Sequence, residues 1–174
     1  LVVVSGLPGS GKTTLARLLA PVLNLPLIDK DDILETLFTV KGTGDSAWRR
    51  ALSRESDVVV RRDASASQGA VVVSFWHLPG MPEDSGTPTG WLRSARHRLV
   101  HVRCVCDTER AAARFHQRRR HPGHRDGDSS FEQVLAGLRE LARLGPLDLG
   151  AECSIDVDTT SDYDVESIGR RILA

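Results

Sequence analysis

The chain has 174 residues, 40% of them hydrophobic and 26% charged, and its 23 basic and 23 acidic side chains cancel to a formal net charge of zero. That length fits one domain, residues 1–174, with a sizeable core, and the charge balance lacks the basic footprint that polynucleotide binders often show. No apolar stretch is long enough to span a bilayer and the first strand enters a glycine-rich loop at once, so a cytoplasmic protein without signal peptide or membrane partner is expected. The start without methionine reads as the loss of a few native residues. Cys104, Cys106 and Cys153 match neither a zinc site nor a disulfide framework and read as buried free thiols.

Leu1-Val2-Val3-Val4 is an unbroken apolar run, as a strand buried on both faces requires. It leads into Gly6-Leu7-Pro8-Gly9-Ser10-Gly11-Lys12-Thr13-Thr14, which fills the phosphate-loop pattern G-x-x-x-x-G-K-[ST] with no mismatch. Glycines let such a loop wrap phosphate oxygens with inward N–H groups, and the following helix adds the positive end of its dipole. Lys12 reaches the β and γ phosphates, and the Thr13 hydroxyl is placed to coordinate Mg²⁺. A helix-forming apolar stripe follows over residues 15–20, so the strand and helix that give the motif its meaning are both predicted.

Further strand signals fall at 25–29, 70–76, 99–106 and 153–157, separated by helical patterns. That alternation predicts an α/β fold, a parallel sheet with helices on both faces. The second strand ends in Asp29-Lys30-Asp31-Asp32, beside the loop. Phosphoryl transfer to a hydroxyl needs a carboxylate to take the proton, and Asp31 is the candidate base, with Asp29 second and Asp32 suited to capping a helix over 33–38. Residues 47–61 read as an amphipathic helix, 78–90 as a surface loop, and 91–96 as a helical turn. The third strand carries no acid, and Ser74 and His77 are its nearest polar groups, which argues against a motor-type ATPase.

After the fourth strand, Asp107 is expected to cap a helix in which Arg110, Arg114 and Arg118 share one face. Arg114 and Arg118 are expected on the γ-phosphate from a lid spanning roughly 110–128. His121 and His124 shape that lid or touch substrate. Helices over 131–144 and 164–173 complete the pattern.

These residues resemble the small phosphate-loop kinases grouped with polynucleotide 5′-kinase, chloramphenicol phosphotransferase and zeta-toxin-type kinases, over nearly the whole chain. The resemblance rests on the loop, on Lys30-Asp31-Asp32 and on Arg114-Phe115-His116-Gln117-Arg118. It implies a three-layer P-loop NTPase fold like that of nucleoside monophosphate kinases, with strand order 2-3-1-4-5. ATP and Mg²⁺ are the implied cofactors, Asp31 the base, and Asp158 and Thr159 neighbours of the adenine. Leu34 and Glu35 stand where polynucleotide kinase has an arginine, which lowers the nucleic-acid reading. The expected activity is ATP-dependent phosphorylation of a hydroxyl on a small molecule such as a nucleoside, sugar or antibiotic. The alternatives are a polynucleotide 5′-hydroxyl kinase and an ATP-binding regulator.

Overall fold

The computed structural model describes residues 1–94 and 98–174. Five parallel strands form one sheet in the order β2-β3-β1-β4-β5: β1 (Val2–Gly6), β2 (Leu27–Asp29), β3 (Val71–Val73), β4 (Val100–Val105) and β5 (Cys153–Asp158). This is the expected order, and the register pairs Val2 with both Val71 and Val100. Because the pleat alternates, Val2 and Val4 face one helical layer and Val3 the other. Helices α1 (Lys12–Val22) and α6 (Val165–Leu173) cover the first face through Leu15, Leu19, Ile168 and Ile172. Val60 and Ala64 of α3 (Ser46–Ala66), with Trp76, cover the second.

Two helical pairs stand at the C-terminal edge of the sheet. Helix α2 (Lys30–Lys41) packs Leu34 and Phe38 on Leu52 of α3, and α4 (Thr108–Gln117) packs Ala111 and Ala112 on Leu138 of α5 (Phe131–Arg143). Polar caps set the helix starts: Asp45 on α3, Asp107 on α4, Ser130 with Gln133 on α5, and Asp164 on α6. Each such cap stabilises its helix by about 1 kcal/mol.

Four local expectations are corrected. Asp29, not Asp32, caps α2, so that helix begins at Lys30 and draws Asp31 into its first turn. The second and third strands contract to the three residues that pair with a neighbour. Helix α4 ends at Gln117, because Arg118 is extended (φ −68°, ψ 142°) and leads into the following loop. The segment 78–90 is not wholly surface: Thr87 is fully buried and bonds back to Phe75 and His77. Leu92–Ser94 form a 3-10 turn, and residues 95 and 96 of the turn expected over 91–96 lie outside the described residues. No helix among the described residues is long and apolar enough to cross a membrane.

Candidate active site

Parallel strands bring their C-terminal ends to one edge, so the phosphate loop, Asp29 and Thr159 converge there. The loop is a tight turn, with the Ser10 N–H donating to Leu7 O at 3.0 Å. Gly9 has φ +78°, and a Cβ there would lie 2.0 Å from the Ala111 carbonyl oxygen of α4. Only glycine meets both demands. Lys12 is buried with Nζ 3.3 Å from Leu7 O; burial lowers its pKa, while Asp31 opposes the shift. Just after β5, the Thr159 hydroxyl donates to Ser10 O at 2.6 Å and braces the loop.

The acidic wall faces the loop. Asp29 is buried; one oxygen accepts the Asp31 N–H at 2.9 Å, and the other makes no hydrogen bond among the described residues, with Arg17 3.9 Å away. Burial, reinforced by the charge of Asp31, pushes its pKa up to about 6. Asp31 behaves oppositely. Burial pushes its pKa up, but Arg120, Lys12 and His124 outweigh that and hold the carboxyl below its ordinary value. Asp32 is exposed and pairs with Arg17 at 2.8 Å.

Arg120 organises the residues after α4. Its Nη2 lies 2.9 Å from Asp31 Oδ2, and its other nitrogens approach Glu35 and Asp126. His124 Nε2 sits between Arg120 (2.8 Å) and Glu35 (2.9 Å), and the tautomer decides whether it accepts from the first or donates to the second. Burial, then Arg120, lowers the His124 pKa. The segment is seated on Phe38, which stacks on His121 at 5.3 Å and meets His124 edge-on. Gly123 permits that seat, since a Cβ there would lie 2.5 Å from the Phe38 ring. Arg49 of α3 donates to His124 O at 3.1 Å from the other side.

Beneath Asp31 lies a buried ion pair that sequence reasoning missed. Lys30 Nζ is 2.6 Å from Asp57 Oδ1 of α3, with both side chains about nine-tenths buried. Thr87 completes the group: its hydroxyl donates to Asp57 at 2.8 Å, accepts from Lys30 at 3.1 Å and meets Ser74 Oγ at 2.6 Å. Ser74, next after β3, is thus committed to structure. The carboxylate that the third strand lacks is provided from α3, but it neutralises Lys30.

Two cavities meet at Asp31. One, of about 660 Å³, is lined by Gly9, Gly11, Lys12, Thr13 and Thr14 on one side and by Asp29, Asp31 and Arg118 to Arg120 on the other. The second, of about 550 Å³, lies between α2, α3 and residues 84–86. The expected arginine pair is divided between two tasks. Arg118 pairs with Asp126 at 2.8 Å and lies over the Phe115 ring, at the first cavity. Arg114 also lines that cavity, but its guanidinium donates to Thr159 O at 2.7 Å and Thr160 O at 3.4 Å, tying α4 to the end of β5. Gly6, Pro8, Ser10, Asp158 and Thr159 do not line it. Asp158 is exposed and accepts the Thr160 N–H, so what it and Thr159 show here is a turn that supports the loop.

Residues 1–144 match the AAA_33 family, an AAA domain. The chain belongs to that family. This AAA_33 protein is 29% identical over 168 residues to a cytidylate kinase of Pyrobaculum calidifontis, spanning 95% of this chain and 81% of the other. It is 40% identical to a shikimate kinase of Corynebacterium jeikeium over 75 residues, which cover 40% of this chain and 38% of that one. The solved structure of a presumed kinase from Chloroflexus aurantiacus superposes with a TM-score of 0.75 at 25% identity, covering 99% of this chain and 93% of that one. These relatives make the AAA_33 protein a P-loop kinase, and its third strand, Val71–Val73, bears no acid.

Proposed function

We propose that the protein transfers the γ-phosphate of ATP to a hydroxyl group of a small molecule. The observation that carries this reading is Asp31, whose partly exposed carboxylate lines both the loop cavity and the second cavity. A donor nucleotide in the first and an acceptor in the second would meet at that carboxylate. The residues fit both cofactors. The loop is shaped as an anion cradle, and Asp29, which keeps one buried oxygen without a hydrogen-bond partner, lines the same cavity as Thr13. Thr13, with Asp29 through water, would hold Mg²⁺, which when bound neutralises phosphate charge.

In the transfer, the acceptor oxygen attacks the γ-phosphorus as Asp31 takes the hydroxyl proton; the bond from phosphorus to the β–γ bridging oxygen breaks, and ADP leaves. A low pKa keeps Asp31 ionised at neutral pH, ready to orient the hydroxyl. Asp29, with one oxygen committed to the helix cap and the other buried, is the less accessible of the two to a hydroxyl. Lys12 and Arg118 offset the charge that gathers on the phosphate oxygens, and Arg114 holds the base end of the site through Thr159 and Thr160. Residues 110–128 act as the lid, seated on Phe38, and exclude water that would otherwise hydrolyse ATP.

The test is transfer of label from γ-labelled ATP with Mg²⁺ to a library of hydroxylated small molecules, with a 5′-hydroxyl oligonucleotide as a separate arm. Label is expected on a small molecule. Label on the oligonucleotide alone, or release of phosphate with no transfer, contradicts the proposal. Trp76 offers no stacking surface to a nucleic acid, being 2% exposed with its ring N–H donated to Val4 O.

A further inference from the structure

The second cavity has a charge pattern that the transfer chemistry does not require. One wall is the first two turns of α3, where Ser46, Arg49, Arg50, Ser53 and Arg54 recur at helical spacing and face the same space as Asp31. Most charges around this space are matched. Lys30 and Arg54 share Asp57, at 2.6 and 3.1 Å; Arg125 pairs with Asp128 at 2.6 Å, and Asp31 with Arg120. Arg49 and Arg50 are different. Among the described residues neither forms an ion pair with a carboxylate, and Asp84 is the lining acid that no cation matches. The surroundings of the cavity therefore hold more positive than negative charge.

Asp45 already meets the positive end of α3 as its N-cap, so the charge left without a counterpart is that of Arg49 and Arg50, further along the same wall. An oxyanion in the cavity would give both guanidiniums a partner, and the planar forks of arginine suit a carboxylate or phosphate. The distal nitrogens of Arg49 remain available, because its Nε alone is held by His124 O.

We infer that the acceptor bears an oxyanion, a carboxylate or a phosphate ester, which Arg49 and Arg50 hold while its hydroxyl faces Asp31. This rests on the kinase reading of the same site and narrows its substrate class. Arg49 and Arg50 are then specificity residues, acting on acceptor binding and leaving nucleotide binding alone.

The experiment sorts the acceptor library into matched neutral, carboxylate and phosphate-ester series, such as glucose, gluconate and glucose 6-phosphate. It measures kcat/KM for transfer with the wild type, Arg49→Gln and Arg50→Gln. Charged members should exceed their neutral counterparts by roughly 100-fold, as expected when a charge-assisted pair is made or lost. Each substitution should raise the acceptor KM about 10-fold or more, with the Kd for ATP unchanged. Preference for the carboxylate or the phosphate series identifies the oxyanion. Transfer to neutral members at equal or greater efficiency, or an unchanged acceptor KM in both variants, overturns this inference and leaves the kinase reading standing. Transfer to no member of any series overturns the kinase reading and the inference with it.

Discussion

Removing the carboxylate of Asp57 should cost more stability than any surface change in this protein. Lys30 and Asp57 are 9% and 10% exposed and 2.6 Å apart, so Asp57→Ala would leave a buried ammonium with the Thr87 hydroxyl as its remaining close partner. Breaking one side of such a pair costs about 3–5 kcal/mol, a large share of the roughly 5–15 kcal/mol that stabilises a domain. At roughly 2–4 °C per kcal/mol for a chain of this size, Tm should fall by about 6–20 °C. Burial already lowers the Lys30 pKa and Asp57 opposes that shift, so without Asp57 it falls further. A depressed lysine pKa means the unfolded state binds more protons, so the variant should regain stability as pH rises toward the unfolded value. The apolar pair Lys30→Met/Asp57→Leu removes both charges and should lie within about 1 kcal/mol of the wild type. Urea unfolding of both singles and the double, followed by far-UV circular dichroism from pH 6 to 9, measures every term. A loss below about 1 kcal/mol for Asp57→Ala, or a double variant as unstable as the sum of the singles, would refute the reasoning.

Three further outcomes are expected. Gly9→Ala drives a methyl into the Ala111 carbonyl at a positive φ, so the loop must shift and calorimetry should show at least about a tenfold loss in ATP affinity. Asp29 binds its proton more tightly folded than unfolded, so its contribution to stability is present below pH 4 and lost as pH rises through about 6. Asp29→Asn keeps the cap and should be more stable than wild type at pH 7.5, by up to about 3 kcal/mol, with no gain at pH 4; equal differences at both pH values would contradict this. Arg120→Gln removes the strongest opposing charge on Asp31, so the acid limb of the kcat/KM profile should move to higher pH, and an unmoved limb would show that Arg120 does not set that ionisation.

The parts of the site written in contiguous residues were legible, and the parts assembled across the fold were not. The loop from Gly6 to Thr14 declares itself because strand, glycines and helix follow one another, and Asp31 follows from its place at the end of the second strand. Arg118 lies beyond the helix that its four-residue spacing predicts, because the backbone extends at that residue. Arg120 pairs with Asp31 and Glu35 across 89 and 85 positions of sequence, which leaves no local trace. Asp57 was hidden differently. Inside a charged amphipathic helix it passes for a solvated side chain, and only the fold shows that it is buried against Lys30 and Thr87. Thr87 lies in a stretch whose prolines and glycines signal a surface loop, and only the fold reveals that it is buried.

The central claim is that Asp31 activates a hydroxyl acceptor opposite a triphosphate held by the loop. Asp31→Asn tests it most directly, with ATP affinity and single-turnover transfer measured on the same sample using an acceptor from the library screen. The account predicts ATP affinity within about a factor of two or three of the wild type and a transfer rate lower by about 10²–10⁴. A transfer rate within about threefold of the wild type, with ATP bound normally, would contradict it.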